Sequence, residues 1–159
     1  MQIFFFHGLE SGPMGSKGTY LKDRYGAFCP DFQGMDLDQR TIKATEVLEG
    51  VDSCVIVGSS FGGLLASLMY QRYPDKIKGL VLCAPAFHRA EADPVKSLPR
   101  ATTIIHGYRD EVVPWSAVDA KARQLGVTLY SVEDNHRLSY HHKLMGDEVS
   151  KLLRIIEAT

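Results

Sequence analysis

Short apolar runs recur along the chain and alternate with longer amphipathic segments. Six of these runs are rich in β-branched, aromatic or aliphatic residues and contain few polar positions, a pattern typical of strands buried on both faces of a sheet. They cover residues 3–6, 27–29, 53–57, 79–83, 102–105 and 127–132. The run at 27–29 is the briefest, and we interpret it as the second strand.

The segments between the apolar runs predict helices. Their apolar residues recur at helical spacing, and glycine or proline follows most of them, at Gly26, Gly50, Pro74 and Gly126. The predicted helices span residues 16–25, 38–48, 61–73, 114–125 and 144–156. Strands that alternate with helices of this length predict βαβ units, and therefore an α/β fold whose parallel sheet is covered on both faces.

Length and charge limit the possible partners. The 159 residues predict a single domain spanning 1–159, and 18 basic against 19 acidic residues give a net charge of −1. No basic stripe is present, so we expect no nucleic-acid partner. The apolar opening, residues 1–6, is too short for a signal peptide or a membrane span. Three widely spaced cysteines indicate neither a disulfide framework nor a zinc site, and we expect a cytoplasmic protein without membrane insertion.

One strand-to-helix corner carries a chemical motif. Residues 58–62 read Gly-Ser-Ser-Phe-Gly and fit G-x-S-x-G, the nucleophile elbow, with Ser60 at its apex. The motif needs small residues two positions before and two after the serine, because the tight turn brings their backbones together. The flanking strand and helix are the context that the motif requires. The alternative is that Ser60 is an ordinary small residue in a tight turn.

A serine nucleophile needs a base, and the base needs an orienting acid. Asp110 follows the fifth predicted strand and His136 follows the sixth, so both should lie with Ser60 at the edge of the sheet formed by the carboxyl ends of the strands. The order Ser, Asp, His along the chain is that of α/β-hydrolases. The alternative acids are Glu111 and Asp134, and the alternative bases are His141 and His142.

The first strand ends at His7-Gly8, and the loop that follows could supply an oxyanion donor. An acyl-transfer site needs backbone N–H groups aimed at the developing oxyanion, and we assign this role to the amides of Leu9 and Phe61. His7 and His106 each end a strand beside a glycine, and we interpret both as loop-packing residues rather than catalytic ones.

These motifs together resemble the α/β-hydrolase superfamily over essentially the whole chain. The resemblance implies that Ser60, Asp110 and His136 form the triad, that Leu9 and Phe61 supply the oxyanion amides, and that the strand order is 2-1-3-4-5-6 in a three-layer α/β/α sandwich. The two strands that usually come first are missing, and residues 85–99 stand where many relatives insert a helical lid. The carrying segments are residues 7–8, 58–63, 106–114 and 134–137. Residues 7–11, with Pro13, Ser16 and Lys17, are similar to small bacterial esterases. The elbow, the acid loop with Pro114-Trp115 and residues 135–137 are similar to mitochondrial hydrolases of acyl-thioesters and acyl-glucuronides.

The expected function is that of a lidless serine hydrolase of carboxylic esters or thioesters, which needs no metal or organic cofactor. The triad does not name the bond, so amide or carbon–carbon cleavage stays open, as does a non-catalytic ligand-binding module. The physiological substrate, the oligomeric state and any capping by residues 85–99 stay open too. Besides Leu9 and Phe61, the side chains that could face the cleft are Met14, Phe87, Tyr108, Trp115 and Leu138.

Overall fold

The chain folds into a five-stranded, entirely parallel sheet with helices on both faces, as described by a computed structural model of residues 1–159. The strands lie side by side in chain order: β1 (Gln2–Phe6), β2 (Cys54–Ser59), β3 (Ile77–Cys83), β4 (Ala101–Gly107) and β5 (Thr128–Val132). The helices are α1 (Ser16–Tyr25), α2 (Leu37–Glu49), α3 (Phe61–Arg72), α4 (Trp115–Leu125) and α5 (His142–Glu157). The predicted α/β fold with a parallel sheet is confirmed.

The predicted second strand, residues 27–29, is not a strand in the structure, so the sheet has five strands rather than the six predicted. Only one bridge forms there, between Phe28 and Phe4 of β1, with Phe28 N–H donating to Ile3 O at 2.9 Å. The segment is caught between Gly26, which ends α1 in a left-handed conformation, and Pro30, which has no N–H to donate. Three residues between two such breakers cannot extend the ladder. The bridge still lies on the free side of β1, so the remaining strands keep the order that the resemblance implied.

The two faces of the sheet bury separate cores. In β2, Ile56 points into the core beneath α2, α3 and α4, while Val57 points into the core beneath α1 and α5. Both side chains are fully buried, as expected for a central strand of a parallel sheet, where each face is covered. The arrangement is the expected three-layer sandwich.

Local signals set most helix boundaries. Asp36 and Gln39 form a reciprocal capping box at the start of α2, and Gly126 ends α4 with φ +67°. The last helix begins at His142, two residues before the predicted start at 144. None of the five helices has the length and apolar character that a membrane span requires.

The segment between β3 and β4 forms no helical lid. It contains one short 3₁₀ turn, Ala90–Ala92, and lies against the start of α3, where Ala86 N–H donates to Ser60 O at 3.0 Å. Gln71 of α3 fastens its far end by donating to Ser97 O at 2.7 Å. The edge of the sheet at the carboxyl ends of the strands therefore stays open above Ser60.

Candidate active site

Ser60 occupies a backbone conformation that non-glycine residues rarely adopt. Its φ is 55° and its ψ is −115°, between the last residue of β2 and the first of α3. The turn is tied down from several sides: Ser60 N–H donates to Cys83 O at 2.8 Å, and Ser60 O accepts from the amides of Gly63 and Leu64. The surrounding backbone holds the strained turn, and the hydroxyl lies at the corner.

The flanking glycines are required by space. A Cβ on Gly58 would lie 2.7 Å from Gly62 O, and a Cβ on Gly62 would lie 2.0 Å from Phe6 O. Neither distance is compatible with a side chain, because the atoms that would be met belong to the backbone of β1 and α3. The G-x-S-x-G spacing is thus a packing requirement of the corner that presents Ser60.

Ser60, His136 and Asp110 form one continuous hydrogen-bonded chain. Ser60 Oγ lies 3.0 Å from His136 Nε2, and His136 Nδ1 lies 2.8 Å from Asp110 Oδ2. The three residues come from different loops at the carboxyl edge of the sheet, after β2, β4 and β5. The Asp110 carboxylate is fully buried, whereas the imidazole of His136 is 24% exposed. The imidazole therefore has access to solvent and the carboxylate does not.

The environment of Asp110 keeps the carboxylate ionised. Burial by itself would raise the pKa of Asp110, but hydrogen bonds from His136 and from the amides of Val112 and Val113 outweigh it and hold the pKa below its usual value. Both amides donate to Oδ1 at 2.8 Å, and Oδ2 is the oxygen that accepts from His136 Nδ1. An ionised acid at this position holds the Nδ1 proton and leaves Nε2 facing Ser60 as a base.

His106 contacts this acid, although the sequence suggested only loop packing. Its Nε2 lies 2.9 Å from Val113 O and 3.3 Å from Asp110 Oδ2, and both neighbours are acceptors. Nε2 therefore carries the proton, and the buried Nδ1 has no partner. Burial lowers the pKa of His106, so the ring is neutral at pH 7. The sequence signal for this contact is the H-G-x-x-D spacing, which places His106 and Asp110 at the two ends of one tight turn.

The alternative acids and bases lie outside this chain of hydrogen bonds. Glu111 is exposed, and Asp134 pairs instead with His141, whose Nδ1 lies 2.8 Å from Asp134 Oδ2. Asp134 also accepts from the amides of Asn135 and Tyr140, so it shapes the loop that carries His136. His142 is the first residue of α5.

The two amides assigned to the oxyanion hole lie beside the elbow. A Cβ built on Gly8 would lie 3.4 Å from the Cβ of Ser60, so the loop after β1 passes directly over the corner. Neither Leu9 nor Phe61 donates its N–H in the turn, loop and cap hydrogen bonds of the chain. Neither N–H group therefore has a backbone acceptor within the protein.

Two open grooves border this site. The first has a volume of about 440 Å³, and the second, on the side of His136, has a volume of about 420 Å³. The first is lined by Leu9, Asp36, Leu37, Asp38, Phe61, Arg89 and Glu91. The second is lined by Arg109, Glu111, Val112, Asp134, Asn135, His136, Arg137 and Tyr140.

Of the side chains expected to face the cleft, only Leu9 and Phe61 line a groove. Leu138 is 2% exposed in the core beneath α1 and α5, and Phe87 is buried in the opposite core. The other three line neither groove, and of these Met14 and Tyr108 are exposed while Trp115 is half-buried. Met14 is largely exposed, and the rings of Tyr108 and Trp115 pack together with their centroids 5.4 Å apart. Local sequence does not set the direction of loop side chains, which depends on contacts with distant residues.

The parallel sheet, the elbow and the three converging side chains define a member of the α/β-hydrolase superfamily. Solved structures agree. A protein of this superfamily from Xanthomonas campestris pv. campestris has a TM-score of 0.82 and 26% identity, with 96% of this chain and 98% of that chain covered. Est1E from Butyrivibrio proteoclasticus, solved with ferulic acid bound, has a TM-score of 0.83 and 17% identity, covering 99% and 90%. Mouse alpha/beta hydrolase domain-containing protein 10 has a TM-score of 0.80 and 17% identity, covering 98% and 90%.

A sequence match identifies the family within the superfamily. The sequence pattern of the family described as serine aminopeptidase, S33 (Hydrolase_4) matches residues 18–153, and the chain belongs to this family. A comparison with curated proteins gave no match. The two structures at 17% identity show the fold alone. Family membership supports hydrolase activity and leaves open which bond is cleaved.

Proposed function

We propose that the protein is a serine hydrolase that cleaves carboxylic esters or thioesters of small to medium acyl groups through an acyl-enzyme. The observation that carries the proposal is the unbroken chain Ser60–His136–Asp110, with links of 3.0 and 2.8 Å, built on a strained elbow. A purely structural hydrogen bond would not need a serine held at φ 55° with an ionised, fully buried acid behind its base.

The geometry supports a two-step mechanism. Ser60 Oγ attacks the acyl carbonyl carbon while His136 Nε2 takes the hydroxyl proton, and the carbonyl oxygen becomes an oxyanion between the amides of Leu9 and Phe61. The intermediate collapses, the bond to the leaving alkoxide or thiolate breaks, and His136 returns the proton to that group. Water then attacks the acyl-enzyme with His136 as base, and the acid leaves with Ser60 restored.

The open edge of the sheet favours acyl groups of modest size. The segment between β3 and β4 lies flat against α3, so it does not enclose a long alkyl chain. The groove beside Leu9 and Phe61 offers apolar surface next to the oxyanion amides, and the groove beside His136 lies where a leaving group would depart.

Amide hydrolysis is the second candidate, because the matching family is described as serine aminopeptidase. The same triad can cleave an aminoacyl amide if His136 protonates the leaving amine. A matched panel of p-nitrophenyl esters, acyl thioesters and aminoacyl p-nitroanilides separates these activities. We expect the esters and thioesters to be turned over faster, and a reversed order would favour the peptidase.

Covalent labelling tests the nucleophile. A fluorophosphonate probe should label the wild-type protein and the Ser59→Ala variant, and it should not label Ser60→Ala, which should retain the wild-type circular dichroism spectrum. Ser59 is the matched control because it is the adjacent hydroxyl at the end of β2. Undiminished labelling of Ser60→Ala would contradict the assignment. A wild-type protein inert to the probe and to every activated substrate would indicate a ligand-binding module.

A further inference from the structure

Arg40 of α2 is the largest fully buried side chain of the protein, and it is charged. Burial lowers the pKa of Arg40 to about 10, so the guanidinium is still a cation at neutral pH. No carboxylate pairs with it; its three hydrogen bonds all go to backbone carbonyls. An unpaired buried charge is costly unless hydrogen bonds compensate it.

Two of the three carbonyls that Arg40 binds belong to the segment just after β1, directly before Leu9, and the third lies just before α2. Its Nη1 donates to His7 O at 2.7 Å, its Nη2 donates to Gly8 O at 3.1 Å, and its Nε donates to Met35 O at 3.2 Å. The planar fork of the guanidinium thus holds two consecutive carbonyls at the end of β1. The guanidinium also lies 5.0 Å from the centroid of the Phe61 ring.

The imidazole of His7 also holds the carbonyl of Gly8. The amide of Phe32 donates to His7 Nε2 at 2.8 Å, so this nitrogen carries no proton and Nδ1 does. Nδ1 lies 2.8 Å from Gly8 O and donates to it. Burial lowers the pKa of His7 and keeps the ring in this neutral form. The carbonyl of Gly8 therefore accepts from both His7 and Arg40.

Because a trans peptide is planar, the direction of Gly8 C=O determines the direction of Leu9 N–H. With Gly8 O held against the buried guanidinium, Leu9 N–H must point the opposite way, out of the protein interior, and it has no partner in the loops. Without the anchor, this glycine peptide could turn over. A turned peptide would present its carbonyl oxygen, rather than a donor, to the oxyanion.

We propose that Arg40, assisted by His7, is a positioning residue that holds the Gly8–Leu9 peptide so that Leu9 N–H serves as an oxyanion donor. This inference rests on the proposed function, since it concerns the same site. Arg40 itself does not contact the substrate in this scheme. It acts through the peptide that it orients, and it thereby links the burial of one charge to transition-state binding.

The test compares three variants on an activated oxo ester and on its thiono analogue, in which sulfur replaces the carbonyl oxygen. A thiolate-like sulfur accepts hydrogen bonds weakly, so oxyanion donors favour the oxo ester selectively. Arg40→Met should lower kcat on the oxo ester by about 10²-fold with little change in KM, within the range that loss of one such donor causes. The ratio of oxo to thiono rates should fall with it. Arg40→Lys keeps the charge but not the fork and should recover part of the loss.

Lys76→Met is the matched control. Lys76 also ties backbone carbonyls together, donating to Leu48 O at 2.9 Å and to Val51 O at 3.0 Å, in the connection between α2 and β2 and away from the site. Its loss should reduce stability in urea and leave kcat and the oxo-to-thiono ratio unchanged. A merely structural role of Arg40 would have the same result, and an unchanged ratio in folded Arg40→Met would overturn the inference.

The outcomes separate this inference from the proposed function. If Arg40→Met does not fold, Arg40→Lys decides: a reduced kcat and ratio support the positioning role, and wild-type values overturn it. A wild-type protein that neither reacts with fluorophosphonate nor hydrolyses the ester overturns the proposed function and the inference with it. An active wild type with insensitive Arg40 variants overturns the inference alone.

Discussion

Replacing Asp110 by asparagine should abolish most of the activity through a change of tautomer. In the structure, Oδ1 of Asp110 accepts from the amides of Val112 and Val113, both at 2.8 Å. An asparagine will place its carbonyl oxygen there, because an NH₂ group cannot face two N–H donors. The NH₂ must then occupy the position of Oδ2, 2.8 Å from His136 Nδ1.

The substitution at Asp110 affects Ser60 through the imidazole of His136. His136 Nδ1 becomes an acceptor, so its proton moves to Nε2, which lies 3.0 Å from Ser60 Oγ. A protonated Nε2 has no lone pair with which to take the serine proton. We expect kcat to fall by about 10⁴-fold, the scale associated with the wrong tautomer in such triads. This corresponds to roughly 5 kcal/mol of activation free energy.

The assay is steady-state hydrolysis of p-nitrophenyl acetate together with urea unfolding. Glu111→Gln is the matched control, because Glu111 is the adjacent carboxylate in the same loop but is exposed. It should keep wild-type kinetics. Asp110→Asn should remain folded and lose on the order of 1–3 kcal/mol of stability, since His106 Nε2–H would face an NH₂ group instead of a carboxylate oxygen. If Asp110→Asn kept near-wild-type kcat, or if Glu111→Gln lost it, the assignment of the acid would be refuted.

Three further predictions concern stability. Burial lowers the pKa of His7 and His106, so the unfolded chain binds protons that the folded chain excludes, and the free energy of unfolding should fall as the pH drops below about 6.5. Urea titrations at several pH values measure this free energy, and its dependence on pH should be weaker in His106→Gln than in the wild type. An equal dependence in the two proteins would contradict the prediction. Ser60→Gly should be more stable than Ser60→Ala by roughly 1 kcal/mol, and should melt at a higher temperature, because glycine adopts φ 55° without strain. A lower melting temperature for Ser60→Gly would refute the argument that residue 60 is strained. Gly62→Ala should lose several kcal/mol of unfolding free energy, on the order of a severe core defect, because its Cβ would lie 2.0 Å from a strand carbonyl oxygen. Gly50→Ala is the control: its Cβ would lie 3.6 Å from the nearest atom, and thermal melts should show a stability near that of the wild type.

Much of the secondary structure could be predicted because its signals are local. The apolar runs of β2 and β3 and the glycine after α4 depend on neighbours within a few residues, and their elements were predicted within one or two residues. The elbow is also local, since Gly58 and Gly62 are needed by the turn that they enclose. The placement of Asp110 and His136 followed from a topological rule, because loops after parallel strands meet at one edge of the sheet. The structure brings these side chains within hydrogen-bond distance of each other, and their catalytic roles stay a prediction.

The sequence by itself determined the alternation of strands and helices, the strained corner around Ser60 and the edge of the sheet at which its partners should gather. Only the tertiary structure decided that residues 27–29 form a single bridge, that Leu138 belongs to a core, and that His106 lies against Asp110. It alone also placed Arg40 against the loop after β1, 32 residues along the chain from Gly8. The physical reason is the separation along the chain between the residues that interact. Turns and periodicity reflect interactions between neighbours in sequence, whereas burial, pocket lining and the partners of a buried charge depend on residues that only folding brings together.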